Sequence, residues 1–167
     1  MQSSKPALFI RSGGERGFSA REIAELARTI LGRGAAFRFR AVGRSMSPFI
    51  RDGDVLTIQP LRRRRLRRGL VVAFIHPATG NFVVHRIIRR RNDRLSVQGD
   101  NIPSEFDEIP EEAVIGFLAR VERDGKMRRL GLGSEGWLIA GLTRQGLFKP
   151  LRAAVSRITP QLLKRIA

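Results

Sequence analysis

The sequence predicts a mainly β fold, a curled, barrel-like antiparallel sheet with one helix ahead of it and a basic amphipathic helix behind. Three observations predict this. A capping motif opens a helical stripe near residue 20, apolar residues then recur at alternate positions in six short runs, and after Gly131 the spacing becomes helical again. The 167 residues, 42% of them apolar, suit one core of ordinary size.

Residues 1–17 are polar, include Gly13 and Gly14 and show no period, so they read as a loose leader with order beginning at Phe18. The unit 18–35 is the first helix. Ser19 and Glu22 make a capping box, and Phe18 and Ile23 sit where a hydrophobic staple pairs. The helix starts at Ala20, presents Ile23, Leu26, Ala27, Ile30 and Leu31 on one face, and has a suitable stop at Gly32.

The β unit spans 36–130. Phe37, Phe39 and Ala41 alternate with Arg38 and Arg40, the pattern of a strand with one wet face. Further strands are expected at Val55–Gln59, Leu70–Ile75, Phe82–Ile88, Leu95–Gln98 and Val114–Glu122, between turn signals such as Asp52-Gly53, Thr79-Gly80 and Asn92-Asp93. Residues 73–82 read as a hairpin that delivers His85 from a strand, with His76 beside Pro77 as a turn residue.

The unit 131–167 is basic. Beyond Glu135 there is no acidic residue, while Leu147, Leu151, Ala154, Val155 and Ile158 share a helical face, with Pro150 in the first turns and Pro160 at the end. Such a helix suits either an anionic bilayer surface or the protein's own core.

Composition narrows the chemistry. No cysteine is present, which removes disulfides, thiolate metal sites and a Cys nucleophile; with two histidines, a His-rich metal site has little support, and no cofactor is expected. A net charge of +17 draws polyanions, either nucleic acid or an acidic lipid surface. The absence of Tyr and the scatter of the Phe residues leave few stacking platforms, which argues against nucleic acid. The runs Arg62–Arg65, Arg67–Arg68 and Arg89–Arg91 are placed on connections between strands, where they could meet acidic headgroups at a membrane periphery. No window reaches the roughly 20 apolar residues of a membrane-spanning helix, and the start lacks the layout of an export signal, so a soluble or peripherally bound protein is expected.

Three segments carry chemistry. Gly43-Arg44-Ser45-Met46-Ser47-Pro48 presents a serine between a strand and a Pro-containing turn, with Gly53-Asp54 following. Val83-Val84-His85-Arg86-Ile87-Ile88 sets a titratable ring in a run otherwise suited to burial, and Gly99-Asp100-Asn101 closes the next strand, with Asp107 seven residues after Asp100. A serine hydroxyl needs a base within hydrogen-bond reach, and a neutral imidazole has the right proton affinity. That base gains from a carboxylate that fixes its tautomer.

Together with Gly69-Leu70-Val71-Val72-Ala73-Phe74 and Ile109-Pro110-Glu111-Glu112-Ala113-Val114-Ile115-Gly116, this ordered set resembles type I signal peptidases and their LexA-like relatives over about half the chain, Val42 to Val121. His85-Arg86-Ile87 looks like the histidine-base type found in the endoplasmic reticulum and archaea. The resemblance implies a signal-peptidase (LexA-like) fold and a serine endopeptidase that removes a leader from a peptide or preprotein. It makes Ser45 the nucleophile, His85 the general base, Asp107 the orienting acid in preference to Asp100, and Asp100 a scaffold. The Ser45 N–H is the first oxyanion donor. At the position two residues before the nucleophile, where typical signal peptidases carry a serine, stands Gly43, as in LexA-like chains. Met46 packs under the nucleophile in relatives, and the substrate is expected as an extended strand near Phe39–Val42 and Ala73–Ile75. Two other readings compete. A LexA-like autoproteolytic regulator calls for a longer DNA-binding headpiece and usually a lysine base. A non-catalytic basic module would bind nucleic acid or lipid without using Ser45.

Overall fold

A computed structural model describes residues 8–10, 19–61, 65–102, 105–129, 131–133 and 135–144. Helix α1 runs Ala20–Gly32 and begins at the expected capping box: Ser19 Oγ accepts from the Glu22 N–H, while the Ser19 N–H donates to Glu22 Oε2 at 2.7 Å. Two orphan donors of the first turn are thereby satisfied. Ala24, Ala27 and Leu31 are buried, and Ile23, Leu26 and Ile30 pack beside them. The helix stops at Gly32 as expected, with Arg33 as its cap and Gly34 (φ 76°) as the left-handed residue beyond it.

Among the described residues nine strands form one sheet. They are β1 (Leu8–Ile10), β2 (Phe37–Arg40), β3 (Val55–Gln59), β4 (Val71–Ile75), β5 (Phe82–Arg91), β6 (Arg94–Gln98), β7 (Asp107–Pro110), β8 (Val114–Arg123) and β9 (Lys126–Arg128). The spatial order is β1-β2-β3-β8-β4-β5-β6-β7, with β9 on β8, and the path is not closed among the described residues. Every pairing is antiparallel except β1 with β2. Register shifts at Thr57/Ile58, Ala73/Phe74 and Ile87/Arg89 are of the kind that bends strands and increases twist.

Both faces of the sheet are apolar where β4 crosses it, as its unbroken run Val71-Val72-Ala73-Phe74 requires. Val71 and Ala73 join α1, Phe37, Leu56 and Ile58 on one face; Val72 and Phe74 join Ile87, Val97 and Ile109 on the other.

Several expectations change. The leader was expected without order before Phe18, but Leu8–Ile10 pairs with Phe37–Phe39 along the edge of β2. Arg89–Arg91 are the exposed end of β5 and lie in a strand, not a connection. A short helix α2 (Gly136–Arg144) follows the sheet and buries Ile139, Ala140 and Thr143. Arg62 to Arg64 and the basic stretch beyond Arg144 lie outside the described residues.

Candidate active site

Ser45 sits in the connection from β2 to β3, which the acids of its own loop hold shut. The Ala41 N–H donates to Asp54 O at 2.7 Å, the Gly53 N–H to Ala41 O at 2.9 Å, and the Gly43 N–H to Asp52 Oδ1 at 2.8 Å. Gly43 is at φ 99°, a conformation that disfavours any side chain. Asp54, 2% exposed, accepts from Arg123 Nε and Nη2 at 2.7 and 2.8 Å and from the Arg51 amide at 2.8 Å. Burial alone would raise its pKa, but these donors outweigh burial and hold the carboxyl below its ordinary value. The Gly53-Asp54 pair of the sequence is thus the clamp of the serine loop. Met46 and Ile50 anchor the loop in the core beneath. The loop's own hydrogen bonds are Ser47 N–H to Arg44 O and Ile50 N–H to Met46 O, and among the described residues the Ser45 amide has no acceptor. The Ser47–Pro48 bond is cis.

The loop is docked on the Gly-Asp-Asn turn. The Asn101 N–H donates to Ser45 O at 2.7 Å, and Asn101 Nδ2 to Arg44 O at 3.2 Å. A side-chain carbon on Gly99 would come within 2.7 Å of Ser45 O, so only glycine admits this approach. Arg86 opposes Gln98 in the last pair of β5 and β6, so the turn beginning at Gly99 follows directly on the residue opposite Arg86. Opposed residues of an antiparallel pair point to one face. His85 opposes Val72 and so shares the face of Val72 and Phe74, whereas Met46 and Ile50 of the serine loop pack with Val71 and Ala73 on the other face.

His85 opposes Val72 and packs against Phe74, with ring centroids 6.2 Å apart. Its Nδ1 is buried and has no hydrogen-bond partner. Burial lowers its pKa; Asp107 and Asp100 act against that shift, and His76 adds to it. Ser45 Oγ and the His85 ring share no hydrogen bond among the described residues.

The two candidate acids have different surroundings. Asp100 is 2% exposed and makes a bidentate pair with the fully buried Arg86, at 2.8 and 2.7 Å. Thr143 of α2 donates to it at 3.2 Å, and Arg86 Nη1 donates to Gly69 O and Gly131 O at 2.8 Å each. Asp100 is thereby a structural hub with its oxygens committed to Arg86 and Thr143. Asp107, in β7 opposite Val97, is part exposed, and its Oδ1 stands 3.6 Å from Nε2 of His76. The turn residue His76 is thus drawn into the site. Sequence reasoning missed this contact, along with the roles of Arg86, Asp52 and Arg123; the signal available for Arg86 was a charged residue within an apolar strand.

A cleft of about 170 Å³ opens beside Ser45, lined by Phe39, Ala41, Val42, Met46, Phe82 and Val84 among others. Val42, at its mouth, is 82% exposed. Among the described residues no helix is long and apolar enough to cross a membrane. The sequence model of the Peptidase S24-like family matches residues 11–121. No curated protein matches the chain.

Proposed function

From a chain that belongs to the Peptidase S24-like family, we propose a serine endopeptidase of the signal-peptidase type, with a histidine base, that removes a leader from a peptide or preprotein. The observation that carries this reading is the docking of Ser45 onto the Gly-Asp-Asn turn, whose Asp100 pairs with Arg86, the chain neighbour of His85.

The chemistry follows. Neutral His85 takes the proton of Ser45 Oγ as that oxygen attacks the scissile carbonyl, and the oxyanion forms against the Ser45 N–H. The imidazolium returns its proton to the leaving amine, leaving an acyl-enzyme on Ser45; a water then attacks the acyl carbon, again with His85 as base. Asp107 is the acid free to approach His85 Nδ1, and Asp100 is the scaffold. A Ser45–His85 hydrogen bond that is open without substrate is usual in such sites and tightens when substrate arrives. The substrate lies extended beside Ala41 and Val42, with small side chains in the cleft. Contact with an acidic membrane surface through the arginine-rich face is proposed as the way the enzyme meets leaders.

One observation favours a second reading. The strand β1 lies parallel to β2, so Leu8–Ile10 occupies the sheet edge along the strand that leads into the Ser45 loop. Cleavage of that segment would be autoproteolysis, as in LexA-like relatives. Incubation of purified chain separates the two: Ser45-dependent self-shortening without added peptide supports autoproteolysis, while turnover of a leader peptide by an intact chain supports the first reading. A chain that does neither, and takes no serine-directed label at Ser45, is no peptidase.

A further inference from the structure

We infer that Asn101 is a positioning residue of this site: by holding the Arg44 carbonyl it aims the Ser45 N–H at the place where the oxyanion forms. The inference rests on the role proposed for Ser45. Asparagines in turns commonly bond their own nearby backbone. The Asn101 side chain instead reaches a loop 57 residues earlier, where Nδ2 donates to Arg44 O at 3.2 Å, while its backbone N–H donates to Ser45 O at 2.7 Å. One residue therefore grips two consecutive carbonyls of the serine loop.

The consequence for Ser45 comes from the peptide that joins it to Arg44. That peptide is trans and planar, so its N–H points opposite to its C=O. Whatever fixes the direction of Arg44 O thus fixes that of the Ser45 N–H. Arg44 O accepts from the Ser47 N–H at 3.1 Å as well as from Asn101, which occupies both of its lone pairs. Hydrogen bonds to that oxygen polarise the peptide and make its N–H a stronger donor. Among the described residues this N–H has no acceptor, and it faces away from Asn101. The Gly43 N–H nearby is already committed to Asp52 Oδ1 at 2.8 Å.

Asn101 is itself held on both sides. Gln98 Nε2 donates to Ile102 O at 2.6 Å, and the Ile102 N–H donates to Gly99 O at 3.0 Å, which closes the turn around it. Asp100, the residue before it, is locked to Arg86 by two hydrogen bonds. A side chain carried on so braced a turn keeps its donor within a narrow range of directions, as a preorganised oxyanion site requires. The bond from Nδ2 lies at an exposed place and adds only modestly to stability. Its removal should therefore disturb the direction of one N–H more than the fold.

The test uses the full-length chain as wild type, Asn101→Asp and Asn101→Ala. Both substitutions keep the backbone N–H on Ser45 O and remove the donor to Arg44 O; the alanine variant serves if a carboxylate facing that carbonyl unseats the loop. Two quantities are read. The residual dipolar coupling of the Ser45 N–H reports the direction of that bond in the free protein, and labelling of Ser45 by a peptidyl phosphonate is followed at rising concentration. The coupling should change in the variants, and the labelling rate at saturation should fall about tenfold, less than the roughly hundredfold lost with an entire oxyanion donor. The half-saturating concentration should stay at its wild-type value. A coupling unchanged in Asn101→Ala, or a saturating rate equal to wild type, would overturn the inference and return Asn101 to a turn residue. A wild-type chain that never labels at Ser45 would instead sink the peptidase reading and the oxyanion with it, while a changed coupling would leave the hold of Asn101 on that peptide standing.

Discussion

Arg86 and Asp100 meet through two parallel hydrogen bonds of 2.8 and 2.7 Å with both side chains fully out of solvent. The pair joins the strand that carries His85 to the turn on which Ser45 is docked, and the remaining arginine bonds reach the Gly69 and Gly131 carbonyls. Buried ion pairs add little net stability, but removing one partner strands a charge at a cost of about 3–5 kcal/mol. Asp100→Ala should therefore unfold at much lower denaturant concentration than wild type, and Arg86→Met in the same chain should recover part of the loss. Urea melts of the single and double variants check this; equal melting of wild type and Asp100→Ala would show that the pair holds nothing.

Gly99 gives a test of how the serine loop is docked. A methyl at this position would press on the Ser45 carbonyl, 2.7 Å away, and on the flexible Ile102 side chain. Displacing a nucleophile by about 1 Å can cost on the order of a hundredfold in rate. Gly99→Ala should lose roughly one to two orders of magnitude in Ser45 labelling, and because the clash is with backbone it should also lower the melting temperature. Full labelling in this variant would detach Ser45 from the Gly-Asp-Asn turn.

The clamp of the serine loop should be sensitive to acid. Asp54 is held below its ordinary carboxyl value by Arg123 and the Arg51 amide against the opposing effect of burial. A carboxyl with a depressed folded pKa contributes stability above its unfolded value near 3.8, and that stability is lost as pH falls through the folded value. Asp54→Asn should be less stable than wild type at neutral pH, and the difference should shrink in strong acid. Melting curves at about pH 6 and at about pH 3 make the comparison, the lower pH being set just below the unfolded range; a constant difference would mean that Arg123 does not act through charge.

On the proposed mechanism, the acid limb of labelling follows His85. Burial holds its pKa below the ordinary 6.5, so it is neutral and competent at neutral pH. Serine labelling should persist below pH 6.5 and fail only on further acidification. The stability sign agrees: the unfolded chain binds this proton more readily, so the contribution is intact above 6.5 and declines as pH drops toward the lowered folded value. A labelling profile with its midpoint above 6.5 would contradict the burial of the base.

Much of the architecture was legible because it depends on local rules. The Ser19–Glu22 box fixed the start of α1, the strand expected at Val55–Gln59 matches β3 to the residue, and the alternation of Phe37, Phe39 and Ala41 located β2 to within a residue. The short pieces were not legible. Asp107–Pro110 and Lys126–Arg128 carry too few apolar residues to show a period, and Leu8–Ile10 is defined by its partner on β2. Helix α2 begins at a glycine that packs against Gly69, where a side-chain carbon would come within 2.6 Å of the Gly69 carbonyl. Its register is set by that approach and by Thr143 reaching Asp100, both of which are tertiary contacts. In the site, Ser45, His85 and the two acids could be named from motif order, yet the pairing of Asp100 with Arg86 and of Asp107 with His76 depends on how strands β5, β6 and β7 lie together.

The most direct measurement is mass-spectrometric mapping of a serine-directed phosphonate on wild type, Ser45→Ala and His85→Ala at neutral pH. A single adduct on Ser45, absent from the alanine variant and strongly slowed when the imidazole is removed, is the expected result. An adduct on a different serine, or labelling of Ser45 at an undiminished rate without His85, would contradict a hydroxyl activated by that ring.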